Sequence, residues 1–260
     1  MCRYLYINGD NIIMQQAMIQ MGSIVAIAVV VCLLYRSYMK EKKTWKQFVR
    51  YIAAPVVVEA VIALVLGQWV GTLIRGFTHE VEGNIIEKLQ YIAGHAGIHF
   101  IGTVLVSAIL LPLFCHFMYD RKEGDAILNI LAFFFTIQHF FNRLGCFMEG
   151  CCYGIPMTGI LSLRFPDEIV SYSVFPSQIF EMLCMLCLCI IQIVLYRKRK
   201  NIFILTMAGF GISIFVSEFL MNKMGVVMYF GLDAIQFAAI LLILIAFLLF
   251  IIKRKATTLD

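Results

Sequence analysis

The sequence predicts an all-α membrane protein of about seven transmembrane helices, with its amino terminus outside and its carboxyl terminus in the cytoplasm. Three observations carry that reading. Apolar residues make up 62% of the 260 and charged residues only 14%, against about 45–50% and roughly 25% in an ordinary soluble domain. Long apolar stretches recur between charge clusters, and several reach the roughly 20 residues that a helix needs to cross a bilayer. The basic residues also alternate from one side of the membrane to the other along the chain.

The spans are expected near 17–35, 51–73, 97–118, 126–145, 174–196, 202–221 and 228–252. The first has no basic n-region or small-residue cleavage site, so it is expected to be a permanent span rather than a removed signal. The segment after it holds Arg36, Lys40, Lys42, Lys43, Lys46 and Arg50. Arg121 and Lys122 lie between the third and fourth spans, Arg197 to Lys200 between the fifth and sixth, and Lys253 to Lys255 in the tail. Together these segments hold 15 of the 21 Lys and Arg. Cytoplasmic loops carry such an excess, so the alternation fixes the orientation and favours an odd number of spans. The net charge of +5 follows from the same bias and does not call for nucleic acid.

The whole chain, 1–260, is expected to be one polytopic domain, with no internal repeat or soluble module. Two outward segments exceed what a connection requires. The arm over 75–95 contains His79, Glu80, Glu82, Glu87 and Lys88 among Val81, Ile85, Ile86, Leu89 and Ile92. That spacing suits a short amphipathic helix on the bilayer surface, and a solvated loop fits it as well. The loop over 142–173 holds most of the unusual chemistry.

The densest constellation is Gln138-His-Phe-Phe-Asn-Arg-Leu-Gly-Cys-Phe-Met-Glu-Gly-Cys-Cys-Tyr-Gly154, where an apolar helix meets water. An arginine at such a boundary must satisfy five donors, and a lipid phosphate matches its fork. Arg143 is thus a candidate for phosphate binding, although any Arg near a helix end can snorkel to the interface. Cys146, Cys151 and Cys152 are the cysteines clustered outside an apolar run. No C-x-x-C pair is present and adjacent cysteines rarely face one ion, so no metal is expected. A disulfide among them is open in an oxidising compartment; packing against the glycine turns is the main expectation. Three acids lie within apolar stretches: Glu59, Glu181 and Glu218. Gln178 and Glu181 are three apart on one helical face. Glu181 and Glu218 either face a cavity or make interhelical hydrogen bonds. Taken singly, His95, His99 and His139 read as satisfied polar residues rather than bases.

These landmarks resemble the prolipoprotein diacylglyceryl transferase family. Asn142 to Gly154, NRLGCFMEGCCYG, is similar to the family signature G-R-x-x-N-F-x-N-G-E-x-x-G, and closer to the G-R-x-G-C-F-x-x-G-C-C-Y-G form of a divergent branch. Phe175-Pro-Ser-Gln-Ile-Phe-Glu181 resembles H-P-[ST]-Q-L-Y-E, and Glu218-Phe219 resembles the end of Y-x-x-x-R-F-x-x-E-F. Gln236 resembles the glutamine that opens the final span. The departures are specific. Ile214 stands in place of a second arginine, and Ile101 or a neighbour in place of a histidine or tyrosine. Trp69 replaces an arginine in Gly67-Gln-Trp-Val-Gly71, Cys146 replaces an asparagine, and the stretch Gln15 to Gly22 lacks a tyrosine.

The resemblance implies transfer of the diacylglyceryl group of phosphatidylglycerol to the lipobox cysteine thiol of exported lipoprotein precursors, at the outer face of a bacterial plasma membrane. It implies a phospholipid site including Arg143, Gln178, Glu181, Cys146, Gly150, Gly154 and Gln236, with Arg164 or Arg75 compensating for the second arginine. Glu218, Glu149 and a register-shifted His99 are the candidates for the base. No cofactor is expected. A relative with another lipid-group transfer and a silent lipid-binding scaffold are the competing readings, whereas a transporter would need paired intramembrane charges or broken helices.

Overall fold

A computed structural model describes residues 11–40, 49–76, 100–165, 169–198, 201–224 and 226–258. Seven of its helices are long and apolar enough to cross a membrane. We label them α1 (Asn11–Lys40), α2 (residues 49–76), α3 (Phe100–Met118), α4 (Arg121–Glu149), α5 (Ser177–Arg197), α6 (Ile202–Leu220) and α7 (Ala234–Thr258). Within α2 the turns at Val49–Ala53 and Ile62–Gly67 widen to π geometry. Apart from its first two residues, which end α2, the arm expected over 75–95 lies outside the described residues, as do His95 and His99.

The helix α4 is the hub, packing on α1, α3, α5 and α6, while α7 closes against α6 and α3. Its buried face is apolar at Ile127, Ile130, Leu131 and Phe135 and turns polar at Thr136, Gln138 and His139. Small residues set the closest approaches, as expected where packing rather than hydrophobic expulsion drives association. A Cβ at Gly102 of α3 would lie 2.2 Å from the Gly71 nitrogen and 2.3 Å from the Gly67 oxygen of α2. The glycines of the Gly67-Gln-Trp-Val-Gly71 motif therefore serve that crossing, and Trp69 between them is 64% exposed. At Gly22 of α1 a Cβ would lie 2.5 Å from Phe141 of α4, and Gln138 Nε2 donates to the Ile19 carbonyl at 3.2 Å.

The seven predicted spans are all present, several with boundaries shifted by a few residues, and two of the shifts bear on the loop end. The helix α4 continues past the expected end at residue 145, because Gly145 is buried within it and the apolar pattern runs on through Phe147 and Met148. It stops at Gly150, whose left-handed φ of 75° suits a residue without Cβ. Arg143 and Cys146 therefore sit on a helix, not in a loop. The helix α7 begins at Ala234 rather than near 228. A turn at Phe230 and Gly231 precedes it, with φ of 52° and 81°, and Asp233 then caps it. Asp233 Oδ1 accepts from the Gln236 N–H at 2.7 Å while Gln236 Oε1 accepts from the Asp233 N–H at 3.1 Å, a reciprocal capping box.

Two ends of the bundle differ in chemistry. At the basic end, Lys253 reaches Asp125 Oδ1 at 2.6 Å, Asn129 Oδ1 caps α6 by accepting from the Ile202 and Phe203 amides, and Arg50 donates to the Met118 carbonyl. At the opposite end, the 150–176 and 221–233 loops are laced together. The Asn222 amide donates to the Tyr153 carbonyl at 3.2 Å, and the Ile155 amide donates to the carbonyl of Leu220 at the end of α6.

Candidate functional site

The loop end of α4 and α5 carries an interhelical ion cluster. Arg143 Nε donates to Glu181 Oε2 at 2.7 Å, and the same oxygen lies 2.9 Å from His139 Nε2. Arg143 and His139 are four residues apart, so one helical face presents both to the partner helix. Glu181 is fully buried and His139 nearly so. The imidazole is fixed between aromatic rings, 5.1 Å from Phe100 and 4.9 Å from Phe210, centroid to centroid. The Arg143 side chain keeps 13% exposure, and its Nη groups make no hydrogen bond with the described residues.

Of the six buried polar side-chain atoms with no partner among the described residues, four lie on these two helices, Gln138 Oε1, His139 Nδ1, Gln178 Oε1 and Glu181 Oε1; the other two are Ser213 Oγ on α6 and Gln236 Nε2 on α7. Each such atom is costly in an interior. Several in one place are where a polar ligand or ordered water would complete the hydrogen bonding.

The first turn of α5 holds the cysteine turn. Ser177 Oγ donates to the Cys152 carbonyl at 2.6 Å, and Gln178 Nε2 to the Cys151 carbonyl. Cys146, Cys151 and Cys152 bring their Sγ atoms within 4.8 Å of one another. None of the three is in a disulfide; the first is buried and the last exposed. Hydrogen bonding to Cys146 pushes the Cys152 thiol up to about 12, and sharing with the same neighbours moves Cys151 upward as well.

A second charged group stands beside the first. Lys223 pairs with Glu218, near the end of α6, and with Asp233, the cap of α7. Glu218 and Asp233 are buried, at 3% and 1% exposure. Glu218 also lies within electrostatic reach of Glu181 and Arg143, so it stands between the two cations.

Of the residues singled out from sequence, the structure thus brings together Arg143, Glu181, Gln178, Cys146 and Glu218. Gly150 and Gly154 contribute backbone. A Cβ at Gly154 would lie 2.5 Å from the Leu220 carbonyl and 2.6 Å from that of Phe175, which is how the two loops close. Gln236 is committed to the α7 cap. Glu149 ends α4 half-buried, two residues before Cys151, and makes no ion pair or hydrogen bond with the described residues. Arg164 is exposed on the 150–176 loop. Ile214, at the position of the missing arginine, is buried in the apolar core. Lys223, Asp233 and the centrality of His139 escape the sequence reading, although the four-residue spacing of His139 and Arg143 was visible in it.

The profile of the prolipoprotein diacylglyceryl transferase family matches residues 12–252. The chain belongs to that family. A curated phosphatidylglycerol–prolipoprotein diacylglyceryl transferase of Clostridium tetani is 26% identical over 127 residues, covering 46% of this chain and 49% of the relative. The chain thus spans about half the length of the curated relative it matches. Family membership and seven apolar helices together make this a multi-pass membrane protein of a bacterial transferase family. The family match takes in α1 to α3 as well, where the sequence motifs are faint.

Proposed function

We propose that the protein transfers a diacylglyceryl group from phosphatidylglycerol to the cysteine thiol of exported lipoprotein precursors, at the outer face of the bacterial plasma membrane. The observation that carries this reading is Arg143, locked by Glu181 through Nε alone while both Nη groups remain without a partner among the described residues. A planar fork held by its stem and open at its tip suits the two oxygens of a phosphate. In the reaction the thiol sulfur attacks the glyceryl carbon that bears the phosphate, the C–O bond breaks, and its electron pair leaves on glycerol phosphate. The charge developing on that phosphate is what a preorganised cation stabilises.

Lys223 supplies the second cation in this reading, in place of the arginine that Ile214 replaces. Its carboxylate partners position it rather than act as bases. Among the described candidate bases, Glu218 is engaged by Lys223, whereas Glu149, beside the cysteine turn, has no ion pair or hydrogen bond with the described residues and in this reading receives the thiol proton. Gln178, Cys146, Gly150 and Gly154 shape the site, Gln236 supports it through the α7 cap, and Arg164 meets the lipid headgroup region from the exposed loop.

The test is transfer by purified protein in detergent, with phosphatidylglycerol and a labelled peptide bearing a lipobox cysteine, read by mass spectrometry. We expect a diacylglyceryl adduct on the thiol, lost in Arg143→Ala. A folded, monodisperse wild-type protein that modifies no peptide with any of several phospholipids would overturn the reading in favour of a lipid-binding scaffold.

A further inference from the structure

We propose that Cys146, Cys151 and Cys152 form a three-thiolate zinc site whose fourth position takes the thiolate of the acceptor cysteine. The acceptor half of the proposal rests on the reading of function above; the metal half stands on geometry alone.

Zinc bound by sulfur has bonds of about 2.3 Å, which separates the sulfurs of a four-coordinate site by roughly 3.8 Å. The three Sγ atoms already lie within 4.8 Å of one another, so contraction of less than a bond length closes the triangle. The backbone is committed to this convergence. Cys146 sits on the last turns of α4, Gly150 ends the helix with a φ of 75°, and Cys152 takes a φ of 56°, a conformation that a residue with a Cβ rarely adopts. Such a strained residue persists only where its surroundings determine it. Here the Cys151 amide donates to the Cys146 carbonyl at 3.1 Å, and Ser177 and Gln178 hold the next two carbonyls. These contacts orient ligands from outside the coordination shell, as metal sites require.

Charge and access agree with that donor set. Three thiolates and Zn2+ carry a net charge of −1, and Arg143 is within electrostatic reach of Cys146 and Cys152. Cys146 is buried and Cys152 is exposed as a residue, and the three sulfurs leave a fourth tetrahedral position to another ligand. Three protein ligands with one open position is the arrangement of catalytic zinc, whereas structural zinc is closed by four.

A thiol that coordinates zinc is deprotonated outright. The acceptor S–H would release its proton to Glu149 or water, and the zinc-bound sulfur would form the S–C bond as the C–O bond to phosphate breaks. The product thioether carries no charge and leaves the metal. No atom changes oxidation state. A weak carboxylate base then suffices.

The experiment uses the full-length protein, stripped by chelator under reducing conditions and titrated with Zn2+. One zinc per chain, with three sulfur neighbours at about 2.3 Å by X-ray absorption, is the expected result, and Cys146→Ser should weaken binding at least 100-fold. Co2+ in the unaltered protein avoids dependence on that variant. Its thiolate charge-transfer band should appear on loading, then intensify on adding a lipobox peptide with cysteine but not with serine. Transfer that proceeds at full rate in chelated protein without bound zinc overturns the inference and leaves the proposed function intact. Zinc bound by three sulfurs without any lipid transfer sinks the proposed function while the site stands, and a Co2+ band indifferent to the cysteine peptide removes the acceptor from it. A disulfide among the three cysteines in non-reduced protein, with no zinc uptake after reduction, overturns the whole proposal.

Discussion

Two polar clusters occupy α4 and α5, and they obey different rules. Toward the basic end, Gln192 Nε2 donates to the Ala132 carbonyl at 3.1 Å and to Thr206 Oγ1 at 2.8 Å, while its Oε1 accepts from Thr136 Oγ1 at 2.9 Å. Gln192 and Thr206 are fully buried and Thr136 nearly so, yet none carries an unpartnered polar atom. Toward the loop end, Gln138, His139, Gln178 and Glu181 each leave one buried atom without a partner among the described residues. Lipid offers no hydrogen bonds, so a network that serves the fold closes on itself. Four open atoms on two facing helices are where a polar ligand or ordered water would complete the bonding. Glu59 meets one hydroxyl, that of Ser107, which lies 3.1 and 3.2 Å from its two carboxyl oxygens and shares a single hydrogen between them, beside a small cavity lined by Ile27, Val30, Val56, Ala60, Leu131 and Phe134.

The largest effect that would sharpen this contrast is expected from Arg143→Lys. Lysine keeps the charge against Glu181, which limits the structural loss, but replaces the fork with a point charge. Transfer should fall by about 10²-fold or more, the scale of losing one preorganised electrostatic group. Thermal stability measured beside it should move little. Undiminished turnover in Arg143→Lys would mean that the arginine only holds α4 to α5.

Lys223 comes next. Lys223→Gln removes the second cation from beside Glu218, and we expect roughly tenfold slower transfer, about 1.4 kcal/mol, with Lys223→Arg restoring most of it. The arginine rescue separates charge from shape. If the glutamine variant transfers normally while Arg164→Gln does not, the second cation comes from the 150–176 loop instead.

The fold was legible because each span announces itself locally. A run such as Ala239 to Ile252 needs no partner to be recognised as membrane-crossing, and the basic clusters punctuate it. Even the cap of α7 is written in Asp233-Ala-Ile-Gln236, although resemblance drew Gln236 toward the lipid. The site was legible only residue by residue. Arg143 and Glu181 stand out because charge is rare in such helices, but their pairing joins α4 to α5 across 38 positions, and no periodicity encodes it. Lys223 lies in a loop, where charge is ordinary. Cys146, Cys151 and Cys152 stand out as one cluster in the sequence, but the convergence of their sulfurs depends on α4 running past residue 145 to Glu149. One further turn of α4 brings Cys146 to the other two.

The smallest effect is expected where the network is closed. Gln192→Leu keeps the volume and removes both amide groups, leaving the Ala132 carbonyl with its helical bond and the two hydroxyls with bonds to their own helices, Thr136 to the Phe133 carbonyl and Thr206 to that of Ile202. Because those fallbacks exist, the loss should be about 0.6 kcal/mol, the average measured for hydrogen bonds between membrane helices, and no more than the maximum of about 1.7. Thermal unfolding in detergent reads it, and transfer should stay within twofold of wild type. A Gln192→Leu protein that is stable but has lost transfer would break the comparison. It would show that the closed network tunes the open one along α5, so that satisfied polar groups in this bundle could no longer be assigned to folding alone.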